Sequence, residues 1–147
     1  MIQPAGLDHI VLRVSSFDAS IAFYCGALGC TVLRRRDELG LIHLRAGRAL
    51  IDLVSLDGKL GRVGGVGPGD EGRNLDHFCL RLETFDQGAL LQHLRSAGIP
   101  ASNVEPRFGA EGVGPSLYVT DPDGNIVELK GPPAPAGDAA GSDGSAR

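Results

Sequence analysis

Two histidines of this sequence lie at matching positions of a repeated segment. Residues 7–18 read LDHIVLRVSSFD and residues 75–86 read LDHFCLRLETFD, so seven of the twelve positions are identical. Repeats at such a separation indicate a duplicated supersecondary unit, which places His9 and His77 at equivalent points of two similar units. Because neutral imidazole is a common ligand for divalent transition metals, the repeat predicts two matched nitrogen donors.

Two acidic residues form a second matched pair. Asp52 lies within RALIDLVS and Glu128 within NIVELKGP, each in an otherwise apolar run near the end of its half. A carboxylate that points into a core without a partner is costly, so two such acids at equivalent points indicate a shared role. Two imidazoles with one or two carboxylates suit Zn²⁺, Ni²⁺, Mn²⁺ or Fe²⁺ and leave positions for substrate or water.

A divalent metal site at His9, His77 and Glu128 is therefore expected. A purely structural role is the alternative for any single strand histidine, but the repeat and the acids together favour the metal. For Asp52 the sequence favours neither a ligand role nor its absence, because the side chain is one methylene shorter than that of Glu128 and reaches less far.

Each copy of the repeat predicts the same local structure. An apolar, β-branched run predicts a strand, at about 7–14 and at about 75–83. An aspartate then caps a short helix, Asp18 in the first copy and Asp86 in the second, and each helix ends at a glycine. Three further strands follow in each half, at about 30–37, 40–46 and 48–55, and at about 99–106, 115–120 and 125–130.

These elements predict an α+β fold of two tandem βαβββ modules that form a curved mixed sheet around a shared cleft. One domain is expected over residues 1–131. Its parts are module one at about 5–56, a glycine-rich connector at 57–74 and module two at about 75–131, followed by a disordered tail at 132–147. The connector is either a flexible linker or a mobile lid, and the tail lacks large apolar residues.

Arg13 and Arg73 are the candidate substrate-binding residues. Each guanidinium could bind an anionic group of a substrate or form a solvated salt bridge, and the sequence weighs the two interpretations equally. Of the other histidines, His43 is expected to be half-buried on a strand and His93 to lie on a helix surface. The cysteines are expected to be small core residues: Cys25, Cys30 and Cys79.

Composition limits the class of protein. The chain has 147 residues, of which 42% are hydrophobic, and a formal net charge of −4, with a pI near 5.5. The acidic balance argues against a general nucleic-acid or acidic-membrane binder, and no membrane span or signal peptide is recognised. Three cysteines without C-x-x-C spacing are typical of a reducing cytosol. A cytoplasmic protein that acts on a small molecule is expected.

The sequence resembles the vicinal oxygen chelate superfamily, which includes glyoxalases, bleomycin resistance proteins and dioxygenases. The segments that carry the resemblance are LDHIVLRV with SIAFYCGALG in the first module, LDHFCLRL in the second, and YVTDPDGNIVEL near the end. With the strand RALIDLVSL they span residues 5–131. The chain is closest in kind to the glyoxalase I-like single-chain members.

The resemblance implies four metal ligands, at His9, His77, Glu128 and Asp52. At the last of these positions, glyoxalase I-like members usually carry glutamate. The second-module carboxylate also acts as the catalytic base in that family, which implies this role for Glu128. Arg13 and Arg73 match, by their spacing from the histidines, positions that bind glutathione in some glyoxalase I enzymes, so glutathione is a candidate co-substrate.

The implied activity is that of a metal-dependent lyase or isomerase whose substrate is chelated through two neighbouring oxygens. A carboxylate moves a proton between adjacent carbons while the metal acts as a Lewis acid. Two alternatives use the same residues: an extradiol-type dioxygenase with Fe²⁺, and a thiol transferase that acts on an antibiotic such as fosfomycin. A third alternative, which does not use a metal, is a drug- or ligand-binding protein of the bleomycin-resistance kind.

The expected partners are a small-molecule substrate and a second copy of the chain. Two small modules expose open sheet edges, so a homodimer is expected. The sequence leaves open the identity of the metal, and whether the site is built within one chain or across two.

Overall fold

The computed structural model describes residues 1–133. Its strands are β1 (His9–Val14), β2 (Thr31–Arg36), β3 (Leu41–Ala46), β4 (Ala49–Ser55), β5 (Phe78–Arg81), β6 (Glu105–Gly109), β7 (Gly112–Thr120) and β8 (Ile126–Lys130), and its α-helices are α1 (Phe17–Ile21) and α2 (Gln87–Ser96). A π-helical segment, Ala22–Ala27, continues α1. The tail predicted at 132–147 lies, from residue 134 onward, outside the described residues. No helix within residues 1–133 is long and apolar enough to cross a membrane.

The chain divides into two compact units. Unit 1 comprises residues 1–73 and 122–124, and unit 2 comprises residues 74–121 and 125–133 of the described part of the chain. The sheet of unit 1 has the strand order β1-β4-β3-β2, with β1 and β4 parallel and the other pairs antiparallel. Unit 2 repeats this arrangement as β5-β8-β7-β6. The predicted α+β fold of two tandem modules is confirmed, and the strands form two four-stranded sheets.

The two sheets share their register as well as their strand order. Val11 of β1 lies opposite Asp52 of β4, and Cys79 of β5 lies opposite Glu128 of β8. Val11 and Cys79 each follow the repeated histidine by two residues. The two acids therefore occupy equivalent positions of their sheets.

The apolar face of the first sheet forms the core of unit 1. Successive residues of a strand point to opposite faces, so Leu12 and Val14 of β1 are buried while His9 and Val11 are exposed. The same face buries apolar residues of the other strands, together with two from the helical segment: Ile42, Leu44, Ile51, Leu53, Phe23 and Tyr24. The opposite face carries His9 and Val11.

The second sheet also has one buried apolar face and an opposite face with polar side chains. Its buried apolar residues alternate along β7 and β8, and α2 adds one more: Leu117, Val119, Val127, Leu129 and Leu94. The opposite face carries Ser116, Tyr118 and Glu128. A register slip of one residue would exchange the two faces, so burial of the apolar set fixes where the polar set lies.

The two α-helices begin at different kinds of residue. Asp86 is the predicted N-cap of α2, and its side chain accepts the amide hydrogen of Ala89 at 3.0 Å. The prediction of Asp18 as the N-cap of α1 is wrong. Ser16 takes that position, because its extended backbone lets Oγ accept the amide hydrogen of Ala19 at 3.3 Å. Asp18 lies in the first turn, where a negative charge still favours the helix dipole.

The predicted strands are present with shifted boundaries. The strand predicted at 99–106 is shifted most, since β6 begins only at Glu105. A turn at 121–124 joins β7 to β8, and Gly124 has a φ of +81° there, a conformation that favours glycine.

Replacing Leu53 by alanine tests the core of unit 1. Leu53 is fully buried on β4, so the change removes apolar contacts and leaves a cavity. We expect the free energy of unfolding, measured by urea denaturation, to fall by about 2–5 kcal/mol. Leu33→Ala is the matched control, because Leu33 is 54% exposed and its loss should change stability by less than about 0.5 kcal/mol. Equal losses in the two variants would contradict the assigned faces.

Candidate functional site

His77 is held by the aspartate that precedes it. Its Nδ1 lies 2.7 Å from Oδ2 of Asp76, and because an ionised carboxylate can only accept, Nδ1–H is the donor. This bond fixes the orientation of the ring and leaves Nε2 for other partners. A carboxylate behind an imidazole is the usual arrangement at metal sites, since it orients the ring and raises its basicity.

The side chain of Glu128 meets the same ring. Its Oε2 lies 3.3 Å from Nε2 of His77, and its Oε1 accepts a hydrogen bond from Oγ of Ser116. The Glu128 side chain is only 8% exposed. Nitrogen and oxygen lone pairs that face each other attract only when a positive charge lies between them, and that charge is either a proton shared by the two groups or a metal ion.

His9 has the same kind of neighbour in unit 1. Its Nδ1 lies 2.7 Å from Oδ1 of Asp8. That hydrogen bond raises the pKa of the His9 imidazole above its usual value, against a smaller opposing effect of desolvation, and the negative charge of Asp52 adds to the rise. The His9 side chain is 48% exposed, so the ring is open to solvent or to a ligand.

Asp52 is paired with His43. Nδ1 of His43 lies 2.7 Å from Oδ1 of Asp52, and the two residues are directly opposite each other in the β3–β4 pair. The Asp52 side chain is 9% exposed and that of His43 is 21% exposed, so His43 is the half-buried strand histidine that was expected. This hydrogen bond compensates the burial of the Asp52 carboxylate without a metal ion.

Each unit thus contains half of the predicted ligand set. Unit 1 contains His9 and Asp52, and unit 2 contains His77 and Glu128. An oriented imidazole with a buried carboxylate suits Zn²⁺, Ni²⁺, Mn²⁺ or Fe²⁺, so the donor chemistry of each half fits a divalent ion. Within residues 1–133, no group of three or more histidine, cysteine, aspartate or glutamate side chains is placed to hold an ion. Binding of one ion by all four residues stays a prediction.

The two candidate substrate-binding arginines both bind backbone carbonyls. The guanidinium of Arg13 donates to four carbonyl oxygens of the connector at 2.6–3.0 Å, those of Gly61, Gly64, Gly65 and Val66. A Cβ added at Gly64 would lie 2.5 Å from Cζ of Arg13, so only glycine allows this close approach. Nη1 of Arg73 donates to the carbonyl of Gly124 at 2.6 Å. Contact of either arginine with a substrate stays a prediction.

One of the cysteines does not behave as expected. Cys30 is buried and Cys25 is partly buried, but Cys79 is exposed, so the expectation of a core residue is wrong for Cys79. The reason is strand alternation, which puts Cys79 on the face that carries His77. Desolvation of the thiol raises the pKa of Cys79 to about 12, and the negative charge of Glu128 adds to the rise. Cys79 is therefore a protonated, weakly nucleophilic thiol near neutral pH.

Sequence reasoning missed the residues that hold the candidate ligands. Asp8 and Asp76 each bond the histidine that follows, and the repeated Asp-His dipeptide is the signal that could have revealed them. Ser116 is separated from Glu128 by 12 positions along the chain. Its role follows only from the pairing of β7 with β8, which no local pattern in the sequence specifies.

Comparison with known families agrees with the repeat, the strand order and the matched acids. The sequence model of the Glyoxalase/Bleomycin resistance protein/Dioxygenase superfamily matches residues 6–129. The chain belongs to this superfamily. The solved structure of an integron cassette protein from the mobile metagenome of V. Cholerae has the same fold. It is 26% identical with a TM-score of 0.68, and the match covers 89% of this chain and 98% of that one.

Two relatives within the superfamily are similar in sequence and differ in named activity. A probable lactoylglutathione lyase of Synechocystis sp. is 30% identical over 127 residues, across 84% of this chain and 92% of that protein. A catechol-2,3-dioxygenase of Bacillus subtilis is 29% identical over 124 residues, across 84% of this chain and 40% of that protein. This chain thus spans less than half the length of the dioxygenase. Membership of the superfamily leaves the reaction open.

Replacing Arg13 by alanine should loosen the connector. The amides of Arg62, Val63 and Gly65 in the connector donate to nearby carbonyls, and Arg13 binds carbonyls of the same segment. Loss of its charge-assisted hydrogen bonds should speed hydrogen exchange at these amides by at least about tenfold, as measured by NMR. Arg45→Ala is the matched control, since Arg45 donates to the carbonyl of Arg48 in the β3–β4 hairpin, away from the connector. Unchanged exchange in Arg13→Ala would show that the connector is held by something else.

Proposed function

We propose that this protein is a metal-dependent enzyme of the lyase or isomerase type, with a reaction like that of lactoylglutathione lyases. Its substrate is a small molecule that presents two neighbouring oxygens. His9, His77 and Glu128 hold the divalent ion, which is Ni²⁺, Zn²⁺, Mn²⁺ or Fe²⁺, and Asp52 is the candidate fourth ligand. The observation that carries the proposal is the approach of Nε2 of His77 to Oε2 of Glu128 at 3.3 Å.

This approach supports a metal ion because both atoms are electron-pair donors. The bond from Nδ1–H to Asp76 leaves Nε2 as the lone-pair atom of the neutral ring. Ser116 bonds Oε1, so it does not occupy the oxygen that approaches His77. A divalent cation attracts both atoms at once and compensates the burial of the carboxylate, which would otherwise be costly.

Glu128 is assigned the proton transfer. When bound, the divalent ion supplies Lewis acidity, which polarises the two substrate oxygens. Glu128 takes a proton from the carbon that bears one of these oxygens and returns it to the neighbouring carbon, first as general base and then as general acid. The hydrogen bond from Ser116 to Oε1 holds the carboxylate in place for this transfer.

Glutathione is the proposed co-substrate, with Arg13 and Arg73 as its binding residues. Both guanidinium groups donate to backbone carbonyls. An anionic group of glutathione therefore has to replace those carbonyls, and in the case of Arg13 this requires the connector to move. The proposal of glutathione thus predicts that the connector and the co-substrate compete for Arg13.

The proposed assembly is a homodimer located in the cytoplasm. The edge strand β2 has five exposed residues out of six, and an open edge of this kind is ready to pair with another chain. A dimer leaves two ways to complete the ligand set, within one chain or between two.

Glu128→Gln tests the proposed chemistry. Glutamine keeps the size of the side chain but cannot accept and return a proton, so we expect kcat to fall by at least about 100-fold. The assay supplies a 2-oxoaldehyde with glutathione to protein loaded in turn with Ni²⁺, Zn²⁺, Mn²⁺ and Fe²⁺, and follows formation of the thioester. Glu83→Gln is the matched control, since Glu83 is exposed. Wild-type turnover in Glu128→Gln excludes Glu128 as the base, and no turnover with any of the metals overturns the lyase proposal.

A second candidate function is favoured by the pairing of Asp52 with His43 at 2.7 Å. If Asp52 stays with His43, three ligands remain: His9, His77 and Glu128. Two histidines with one carboxylate form the ferrous site of non-haem oxygenases, which makes an extradiol-type dioxygenase acting on a catechol the second candidate. A thiol transferase that acts on an antibiotic uses the same three ligands.

Asp52→Asn separates the four-ligand lyase from the three-ligand alternatives. For the lyase we expect the affinity for the metal ion, measured by competition with a chromogenic chelator, to fall by at least about tenfold, the lower end of losses seen when a metal site is disturbed. Asp57→Asn is the control, because Asp57 is exposed. If Asp52→Asn binds metal as the wild type does, Asp52 is not a ligand, and oxygen consumption with catechol and Fe²⁺ becomes the next assay.

A further inference from the structure

Unit 2 contains a cavity beside Glu128. The cavity has a volume of about 310 Å³, and its walls include Glu128, Arg81, Glu111, Phe108, Lys130 and Pro133. This volume is at the small end of the range for ligand-binding pockets. The cavity therefore suits a compact molecule, one end of which reaches the carboxylate of Glu128.

An arginine of this cavity already binds a carboxylate. Nε of Arg81 donates to Oε2 of Glu111 at 2.6 Å, and Nη1 donates to the carbonyl of Leu82. The Arg81 side chain is 38% exposed and that of Glu111 is 57% exposed. Ion pairs with this much exposure stabilise a protein little, so a second carboxylate can replace Glu111 at small cost.

The turn that carries Glu111 is suited to such an exchange. Gly109 and Gly112 are paired at the end of the β6–β7 hairpin, and the two residues between them are Ala110 and Glu111. Gly112 has a φ of +113°. Glycine adopts a wider range of backbone angles than any other residue, so this turn can change conformation and withdraw Glu111 from Arg81.

Lys130 and Phe108 also line the cavity. Nζ of Lys130 donates to the carbonyls of Arg107 and Gly114, so this ammonium already has backbone acceptors. Phe108 is 78% exposed, which leaves its ring available to an apolar surface of a ligand. Arg81 is thus the cation of the cavity whose present partner is a replaceable side chain.

We infer that this cavity binds the carboxylate end of a small, partly apolar substrate. The substrate carboxylate replaces Glu111 on Arg81, its apolar body lies against Phe108, and its reacting end lies towards Glu128. Arg81 is the counterpart of Arg13 in the repeat, but Arg13 is bound to four connector carbonyls. The anion-binding role therefore falls to the second copy of the matched arginine.

The inference names the substrate class of the proposed enzyme and rests on the proposed function only for the reacting end. Its test uses the full chain freed of metal, so a failure of metal binding and a failure of anion binding are seen separately. The probes are benzoate and its neutral analogue benzyl alcohol, titrated against the protein by NMR. Circular dichroism checks that each variant is folded.

The expected result is binding of benzoate and weaker binding of benzyl alcohol. Arg81→Gln should weaken benzoate binding by about tenfold, since a charge-assisted hydrogen bond is lost. Glu111→Gln should tighten it by about threefold, because the competing carboxylate is removed. Arg95→Gln is the matched control on α2 and should bind benzoate as the wild type does.

Three results would overturn the inference. The first is unchanged benzoate binding in folded Arg81→Gln. The second is binding of benzyl alcohol as tight as that of benzoate, which would show that the cavity does not select an anion. The third is absence of benzoate binding in both the wild type and Glu111→Gln.

Discussion

A buried carboxylate must be compensated, and the arrangement of unit 2 around Glu128 follows from that requirement. β8 lies between β5 and β7, so both neighbouring strands can supply partners to its acid. β7 supplies the hydroxyl of Ser116, and the segment leading into β5 supplies the ring of His77, which Asp76 orients. An uncompensated charge at this position would destabilise the fold by several kcal/mol, which is comparable to the free energy of unfolding of a small domain. The partners are therefore a condition of folding.

Duplication gives the two units the same register but not the same chemistry. Asp52 and Glu128 are equivalent in position, yet the shorter acid is paired with His43 on the neighbouring strand. The matched arginines also differ, since Arg13 donates to carbonyls of the connector whereas Arg81 donates to the carboxylate of Glu111. The two units thus share a register and differ in the partners of their matched residues.

Much of this was visible in the sequence, and what was missed has a common cause. The repeat and the apolar runs predicted two tandem modules and the matched positions of His9 and His77, because both signals are local. The cap of α1 at Ser16 was missed because two neighbouring polar residues compete for that position. The partnership of Ser116 with Glu128 was missed because it depends on which strands pair and in what register, which is a property of the whole sheet.

The most direct test of the account is the metal content of the protein, purified without a histidine tag and measured by elemental analysis. The account predicts roughly one Ni, Zn, Mn or Fe ion per site, lost in both His9→Ala and Glu128→Ala and kept in His93→Ala, which alters an exposed histidine of α2. Absence of metal in the wild type, even after reconstitution with each of these ions, would contradict it. The two repeated histidines would then be structural, and the protein a metal-free ligand-binding member of its superfamily.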